Sequence, residues 1–302
     1  FILRLDDTDP ERSKQEYIDA IKYDLDWLGL TWDHEEQQSK RLDRYVSAAE
    51  ELKKNEKLYE CFESPTDLDL KRKKLLNMGR PPVYDRSALE LTNEKKTMLR
   101  TGNNPHWRFL LNDNRVNWVD KILGPISIDS ATVSDPVLIR ADGQFLYTLA
   151  SVVDDVDMGI TDVVRGSDHV TNTATQIQIT EALSKSAPCY SHHSLLTGPA
   201  GENLSKRLGV MSLRDLRSAG IEPMAILSHL ARLGSSQPGE LFNSVDNIES
   251  VFDITTFGAA PTKFEMQDLY PITSKYLSSL NFSEVKKRIT SAGATEHLWD
   301  VV

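Results

Sequence analysis

The sequence predicts an α/β protein, with a parallel α/β layer interrupted by an α+β insertion and followed by a helical region. Three observations carry this. A helix near Leu149, a strand at Thr161 to Val164 and a helix at Thr173 to Ser184 follow one another, the order that builds a parallel sheet covered by helices. The opening Phe1-Ile2-Leu3-Arg4-Leu5 is an apolar strand that runs directly into helical spacing. Between these parts, from about residue 50 to 145, the pattern changes and behaves as an insertion.

The first strand leads into Asp6-Asp7-Thr8-Asp9-Pro10, where Asp9 is placed to cap a helix and Pro10 to begin it. Tyr17, Ile18, Ile21, Leu25 and Leu28 recur at helical spacing, and Gly29 ends the run. A second amphipathic helix is expected around Arg41 to Lys57, and Gly79-Arg80-Pro81-Pro82 is a break. Trp107 to Leu110 and Val116 to Val119 are short strands, and Asp135 to Tyr147 is a hairpin turning at Ala141-Asp142-Gly143. Beyond Lys206 the chain is mostly helical, with Leu213 to Ser218 and then Glu222 to Leu233 closed by Gly234. No internal repeat or low-complexity segment interrupts this order.

The 302 residues suffice for two or three domains. No apolar run reaches the roughly 18 residues of a membrane span, and no signal-peptide pattern opens the chain. Two cysteines, Cys61 and Cys189, build no disulfide framework, which fits a reducing cytoplasm. A net charge of −10 opposes bulk attraction to nucleic acid but leaves room for a local basic groove. Both ends read as cut: a strand in progress at Phe1, and an apolar pattern broken off at Val302. A fragment is expected, with a natural domain bounded by strands as the alternative.

Four local signals carry chemistry. Arg4-Leu5-Asp6-Asp7-Thr8-Asp9 with Arg12 puts carboxylates at a strand end, where they can take an amine or a metal, or simply favour a helix N-terminus. Gly201-Glu202-Asn203-Leu204-Ser205-Lys206-Arg207 is a loop that can close over a triphosphate, or a solvated basic loop. Asp154-Asp155 followed by Val163-Val164-Arg165-Gly166-Ser167-Asp168-His169 ends an apolar strand on an arginine. That arginine suits bidentate capture of a carboxylate, or a structural ion pair with Asp154 or Asp155. Cys189, His192 and His193 offer only three local zinc donors, and adjacent histidines on an extended segment face opposite ways. Cys61-Phe62-Glu63 lacks the second thiol of a Cys-x-Cys site, and Lys71-Arg72-Lys73-Lys74 is a solvated helix face or a phosphate contact.

In their order these pieces resemble the bacterial glutamate–tRNA ligase family of class I over nearly the whole chain. Phe1 to Arg12 is similar to the family's Arg-Ile-Glu-Asp-Thr-Asp segment. Leu28 to Tyr45, Leu58 to Phe62 and Pro81 to Asp85 resemble its next helix pair and its acceptor-arm insertion. Asp154 to Asp168 with Asn172-Thr173 is the most specific stretch, and Asn203 to Arg207 resembles the mobile Lys-Met-Ser-Lys-Ser-type loop. The resemblance implies a Rossmann catalytic domain at 1–50 and 146–200, split by an acceptor-binding insertion at 51–145. A mobile loop and helical stem-contact domain at 201–275 and the start of an anticodon-binding domain at 276–302 would follow. It implies that Asp6 holds the glutamate α-amino group, that Tyr147, Ser151, Asp168 and His169 line the pocket, and that Arg165 grips the side-chain carboxylate. Lys206 with Ser205 and Arg207 would serve catalysis, Lys206 and Arg12 would meet ATP, and Asp9, Arg12 and Asp155 would lie near the tRNA end.

The resemblance implies ligation of L-glutamate to tRNA through glutamyl-adenylate. ATP and Mg²⁺ would be required, tRNA(Glu) or also tRNA(Gln) would be the partner, a monomer is expected, and no zinc is expected. Positioning and fixed cations would do the catalytic work, with no Ser, Cys or His nucleophile. Three departures stand out: no His-Ile-Gly-His-type signature is present, Asp6 replaces the usual Glu, and Asn203 stands where a lysine is common. The missing signature leads us to expect weak or no activity from this segment alone. The alternatives are a paralogue that glutamylates a modified tRNA base and a noncatalytic tRNA-binding protein.

Overall fold

A computed structural model describes residues 1–9, 11–198, 201 and 212–290. They fall into two compact units, one of residues 1–18 and 32–193, the other of residues 19–31 and 194–302.

In the first unit β1 (Ile2–Leu5) leads to α1 (Gln15–Trp27), whose residues up to Ile18 belong here. The predicted cap is a correction: Asp9 closes a single turn, with its carboxylate accepting from Glu11 N and its carbonyl from Ser13 N, and α1 starts only at Gln15. The isolated turn satisfies the donors that a cap would otherwise serve. β1 pairs in parallel with β2 (His34–Gln37), Ile2 opposite His34. A short 3₁₀ turn, Gln38–Lys40, then opens α2 (Leu42–Lys54).

β3 (Leu58–Cys61) is followed by α3 (Pro65–Asn77), started by a Ser64–Asp67 capping box with Pro65 at its first position, and by α4 (Asn93–Arg100). β4 (His106–Phe109) pairs antiparallel with β3 and with a later strand, while β5 (Arg115–Asp120) forms a hairpin with β6 (Gly124–Asp129). The predicted hairpin after Asp135 is present: β7 (Val137–Ile139) runs antiparallel to a short return arm at the Ile139–Phe145 bridge, with Leu146 N–H donating to Leu138 O and Arg140 N–H to Gln144 O, and it turns at Gly143, φ 87°. The return arm is short because α5 (Tyr147–Asp157) begins at once. β8 (Asp162–Gly166), α6 (Val170–Ala182) and β9 (Cys189–His193) complete the unit, β8 and β9 parallel, in a sheet ordered β6-β5-β9-β8.

The core of this unit packs α2, α5 and α6 against β3, β4 and β7 through Tyr45, Leu52, Leu58, Phe109, Leu138, Leu149 and Ile179, all buried. Each large apolar side chain so buried contributes about 1.5–3 kcal/mol.

The second unit contains β10 (Leu196–Thr197), α7 (Leu213–Ser218), α8 (Pro223–Leu230), α9 (Val245–Val251), β11 (Thr262–Lys263), α10 (Leu269–Ser279) and α11 (Phe282–Thr290). β10 and β11 are parallel, and Leu28, Leu216, Ile221, Ile226 and Leu269 form the core. Arg217 pairs with Asp24 at 2.7 Å and lies over the Tyr23 and Trp27 rings.

Candidate functional site

The site is built around α5. Asp154 is fully buried and accepts from Gln38 Nε2 at 2.9 Å, Arg41 Nε at 2.7 Å and Tyr45 Oη at 2.9 Å. Asp157, three residues on, is clasped by Arg41 and Arg44. Arg41 and Arg44 thereby fix α5 to the start of α2, and Tyr147, Ser151 and Asp155, at four-residue spacing, share a different stripe of the helix.

Asp155 accepts from Arg4 Nη1 at 2.7 Å, and Arg4 Nε donates to Asp6 Oδ1 at 2.8 Å. One arginine of β1 thus joins Asp155 to the exposed Asp6. Burial raises the Asp155 carboxyl above its usual range despite this pairing.

Arg165 and His192 are register partners on β8 and β9, so their side chains lie on one face of the sheet. Arg165 Nε donates to His192 Nε2 at 3.3 Å and Nη2 to Thr173 Oγ1 at 2.5 Å. Thr173 Oγ1 lies 2.9 Å from the same His192 nitrogen, and His192 Nδ1 lies 2.5 Å from Asp120 Oδ2. Thr173, His192 and Asp120 are buried. Nε2 accepts from Arg165, which can only donate, so it carries no proton and the ring is neutral; burial likewise holds His192 below its usual range against the pull of Asp120. The competing reading, an ion pair of Arg165 with Asp154 or Asp155, is not what the structure has. Both carboxylates are engaged by other side chains, and Arg165 has no carboxylate within 4.0 Å among the described residues.

Tyr190, two residues before His192 on the same face, lies 5.5 Å from the Arg165 guanidinium. Burial pushes its hydroxyl up to about 12. Tyr147 is half exposed, with its ring 6.4 Å from that of His169, and His169 is 3.9 Å from Asp168. Among the described residues, Ser151 Oγ and His169 Nδ1 are buried and find no hydrogen-bond partner. A cation with free N–H groups, an aromatic wall and unspent polar atoms form a cradle suited to a small polar anion.

The structure thus brings Arg165 and His169 together at Thr173, with Tyr190 beside Arg165 and Tyr147 beside His169, while Ser151 and Asp155 share the Tyr147 stripe of α5 and Asp168 adjoins His169. Arg12 stands apart, largely exposed, 3.6 Å from Asp9. Ser205, Lys206 and Arg207 lie outside the described residues. Sequence reasoning missed Asp120, Tyr190 and the partnership of His192. The alternation Tyr190, His192 against exposed Cys189 and His193 was the available signal.

The zinc donors weighed at Cys189, His192 and His193 do not converge, since His192 is held by Asp120 and Thr173. Cys61, Glu63 and His106 instead bring one ligand atom each within 4.8 Å of one another. Burial pushes the Cys61 thiol up to about 11, and Glu63 already accepts from Tyr84 and Lys71. A separate cavity of about 540 Å³ is lined by Lys71, Arg72, Lys74, Arg80 and Arg108 together with Asp85 and the apolar Leu68, Leu75, Met78 and Val83.

The model of class I tRNA synthetases (E and Q), catalytic domain, matches residues 1–271. The chain is 64% identical over 298 residues to a glutamate–tRNA ligase 2 of Cereibacter sphaeroides, covering 99% of this chain and 68% of that protein. It is 64% identical over 299 residues to a glutamate–tRNA ligase 1 of Ruegeria pomeroyi, again covering 99% and 68%. Among solved structures it resembles a glutamate tRNA ligase from Elizabethkingia meningosepticum in complex with its amino acid, with TM-score 0.86, 27% identity, and 100% and 69% of the two chains covered. No helix among the described residues is long and apolar enough to cross a membrane.

Proposed function

The chain belongs to the class I tRNA synthetases for glutamate and glutamine, and we propose that it serves the ATP-dependent attachment of L-glutamate to tRNA, with Arg165 as the grip on the side-chain carboxylate. The observation that carries this reading is the state of Arg165. Its guanidinium is half-buried, and among the described residues its hydrogen bonds go to neutral partners, His192 and Thr173. Nη1 and the outer Nη2–H remain for two parallel bonds to a carboxylate. A half-buried cation without a paired carboxylate is destabilising, and a carboxylate ligand relieves that cost.

Glutamate activation joins the α-carboxylate to the α-phosphorus of ATP and releases pyrophosphate. A terminal ribose hydroxyl of tRNA then displaces AMP. The chain's contribution is to orient. Asp6 receives the α-amino group, Tyr147 and His169 wall the pocket, and Ser151 offers it a hydroxyl. Lys206, with Ser205 and Arg207, meets the charge that grows on phosphate. Arg12 and Asp9 serve the nucleotide and the tRNA end, and the basic wall of Arg72, Lys74 and Arg80 receives tRNA phosphates. Asp155, held by Arg4, sets the charge balance beside Arg165.

Mg²⁺ prefers oxygen ligands and keeps several waters. The Cys61, Glu63 and His106 group, with its thiol and imidazole donors, does not suit it.

The test is glutamate-dependent ATP–pyrophosphate exchange by the complete protein with added tRNA. Exchange with glutamate and little with glutamine is expected. Exchange with neither, under conditions where a known synthetase works, contradicts the reading.

A further inference from the structure

Arg165 can serve as a carboxylate grip only if something holds its planar head without neutralising it. His192 meets both conditions. It is wholly buried, sits opposite Arg165 in register, and presents Nε2 to Arg165 Nε and to Thr173 Oγ1. For Nε2 to accept, the ring proton must sit on Nδ1. Asp120 decides that, because its Oδ2 lies 2.5 Å from Nδ1 and can only accept.

Asp120 is itself fixed. Its Oδ1 accepts the backbone N–H groups of Ile122, Leu123 and His192 at 3.0, 3.0 and 3.1 Å. Burial alone would raise this carboxyl, but those hydrogen bonds and the one from His192 hold it below the usual range. The charge therefore stays on Asp120, two steps from Arg165, where it selects a tautomer without forming an ion pair with the guanidinium.

We propose that Asp120 and His192 form a positioning pair that fixes the tautomer and rotamer presented to Arg165, and so set how tightly and how selectively the pocket takes a γ-carboxylate over an amide. The inference rests on Arg165 being the carboxylate grip. Neither residue touches the substrate.

Asp120→Asn gives the cleanest test. The amide oxygen can keep the three backbone donors, which leaves the NH₂ facing His192 Nδ1. The imidazole proton must then move to Nε2, which meets the N–H of Arg165 with an N–H of its own. Loss of a hydrogen-bonded partner that orients a functional histidine costs on the order of 10- to 100-fold.

In the complete protein, Asp120→Asn should raise KM for glutamate on that scale, narrow the glutamate-to-glutamine ratio, and leave KM for ATP within about twofold. Because the pair acts through Arg165, the effect should vanish in an Arg165→Gln background. A folded Asp120→Asn variant with unchanged KM for glutamate overturns the proposal, as does an effect that persists undiminished without Arg165. Should Asp120→Asn fail to fold, His192→Gln, which keeps an acceptor toward Arg165, is compared with His192→Phe. Tighter glutamate binding by the Gln variant supports the pair, and equal loss overturns it. Loss of selectivity in Arg165→Gln with a silent Asp120→Asn sinks the positioning role alone, whereas a silent Arg165→Gln sinks the grip as well.

Discussion

Arg165 and His192 stand opposite each other on two parallel strands, with guanidinium Nε and imidazole Nε2 3.3 Å apart. A cation held by a neutral ring keeps its charge for a ligand. The nearby acids do not claim it, since Arg4 holds Asp155 while Gln38, Arg41 and Tyr45 hold Asp154.

The Asp154 clamp sets where α5 lies. Asp154→Ala would strand three donors, two of them on buried side chains, and should cost about 3–5 kcal/mol. Urea denaturation checks this, and a loss below about 1 kcal/mol would contradict the clamp.

Arg4→Met should cost about 3 kcal/mol at neutral pH, because it leaves the largely buried Asp155 carboxylate unpaired. Asp155 already titrates above its usual range through burial, and losing Arg4 raises it further. A carboxyl whose folded pKa is raised destabilises above that pKa and ceases to do so as it protonates. The deficit should therefore shrink as pH falls from 7 toward about 4. Denaturation of both proteins at several pH values tests this, and a deficit that does not change with pH speaks against it.

Gly234 takes φ 85°, and a Cβ there would stand 2.8 Å from Thr262 Oγ1. Gly234→Ala should lose about 1–2 kcal/mol from the left-handed backbone alone, and more from the clash. Adding Thr262→Ala should relieve only the second part. A Gly234→Ala protein as stable as the parent would refute both.

What the sequence disclosed depended on how local the cause was. The Tyr17 to Leu28 spacing and Gly29 marked α1 correctly, since helix periodicity and a left-handed stop lie within one segment. Asp9 misled because a capping residue serves one turn as readily as a helix, and only the hydrogen bonds distinguish them. The opposite facing of His192 and His193 followed from strand alternation, and one is buried while the other is exposed. Its consequence did not follow, because Asp120 is 72 residues away. The two readings of Arg165 could not be separated by sequence for the same reason: Asp154 and Asp155 are taken by residues 109 to 151 positions distant.

The most direct measurement is the activation of glutamate against glutamine by Arg165→Gln in the complete protein, with melting temperature followed alongside. Loss of the guanidinium fork should lower kcat/KM for glutamate by about 10²-fold, near 3 kcal/mol, and narrow the gap to glutamine while the fold persists. A folded variant whose glutamate-to-glutamine ratio is unchanged would take Arg165 out of the pocket and contradict the account.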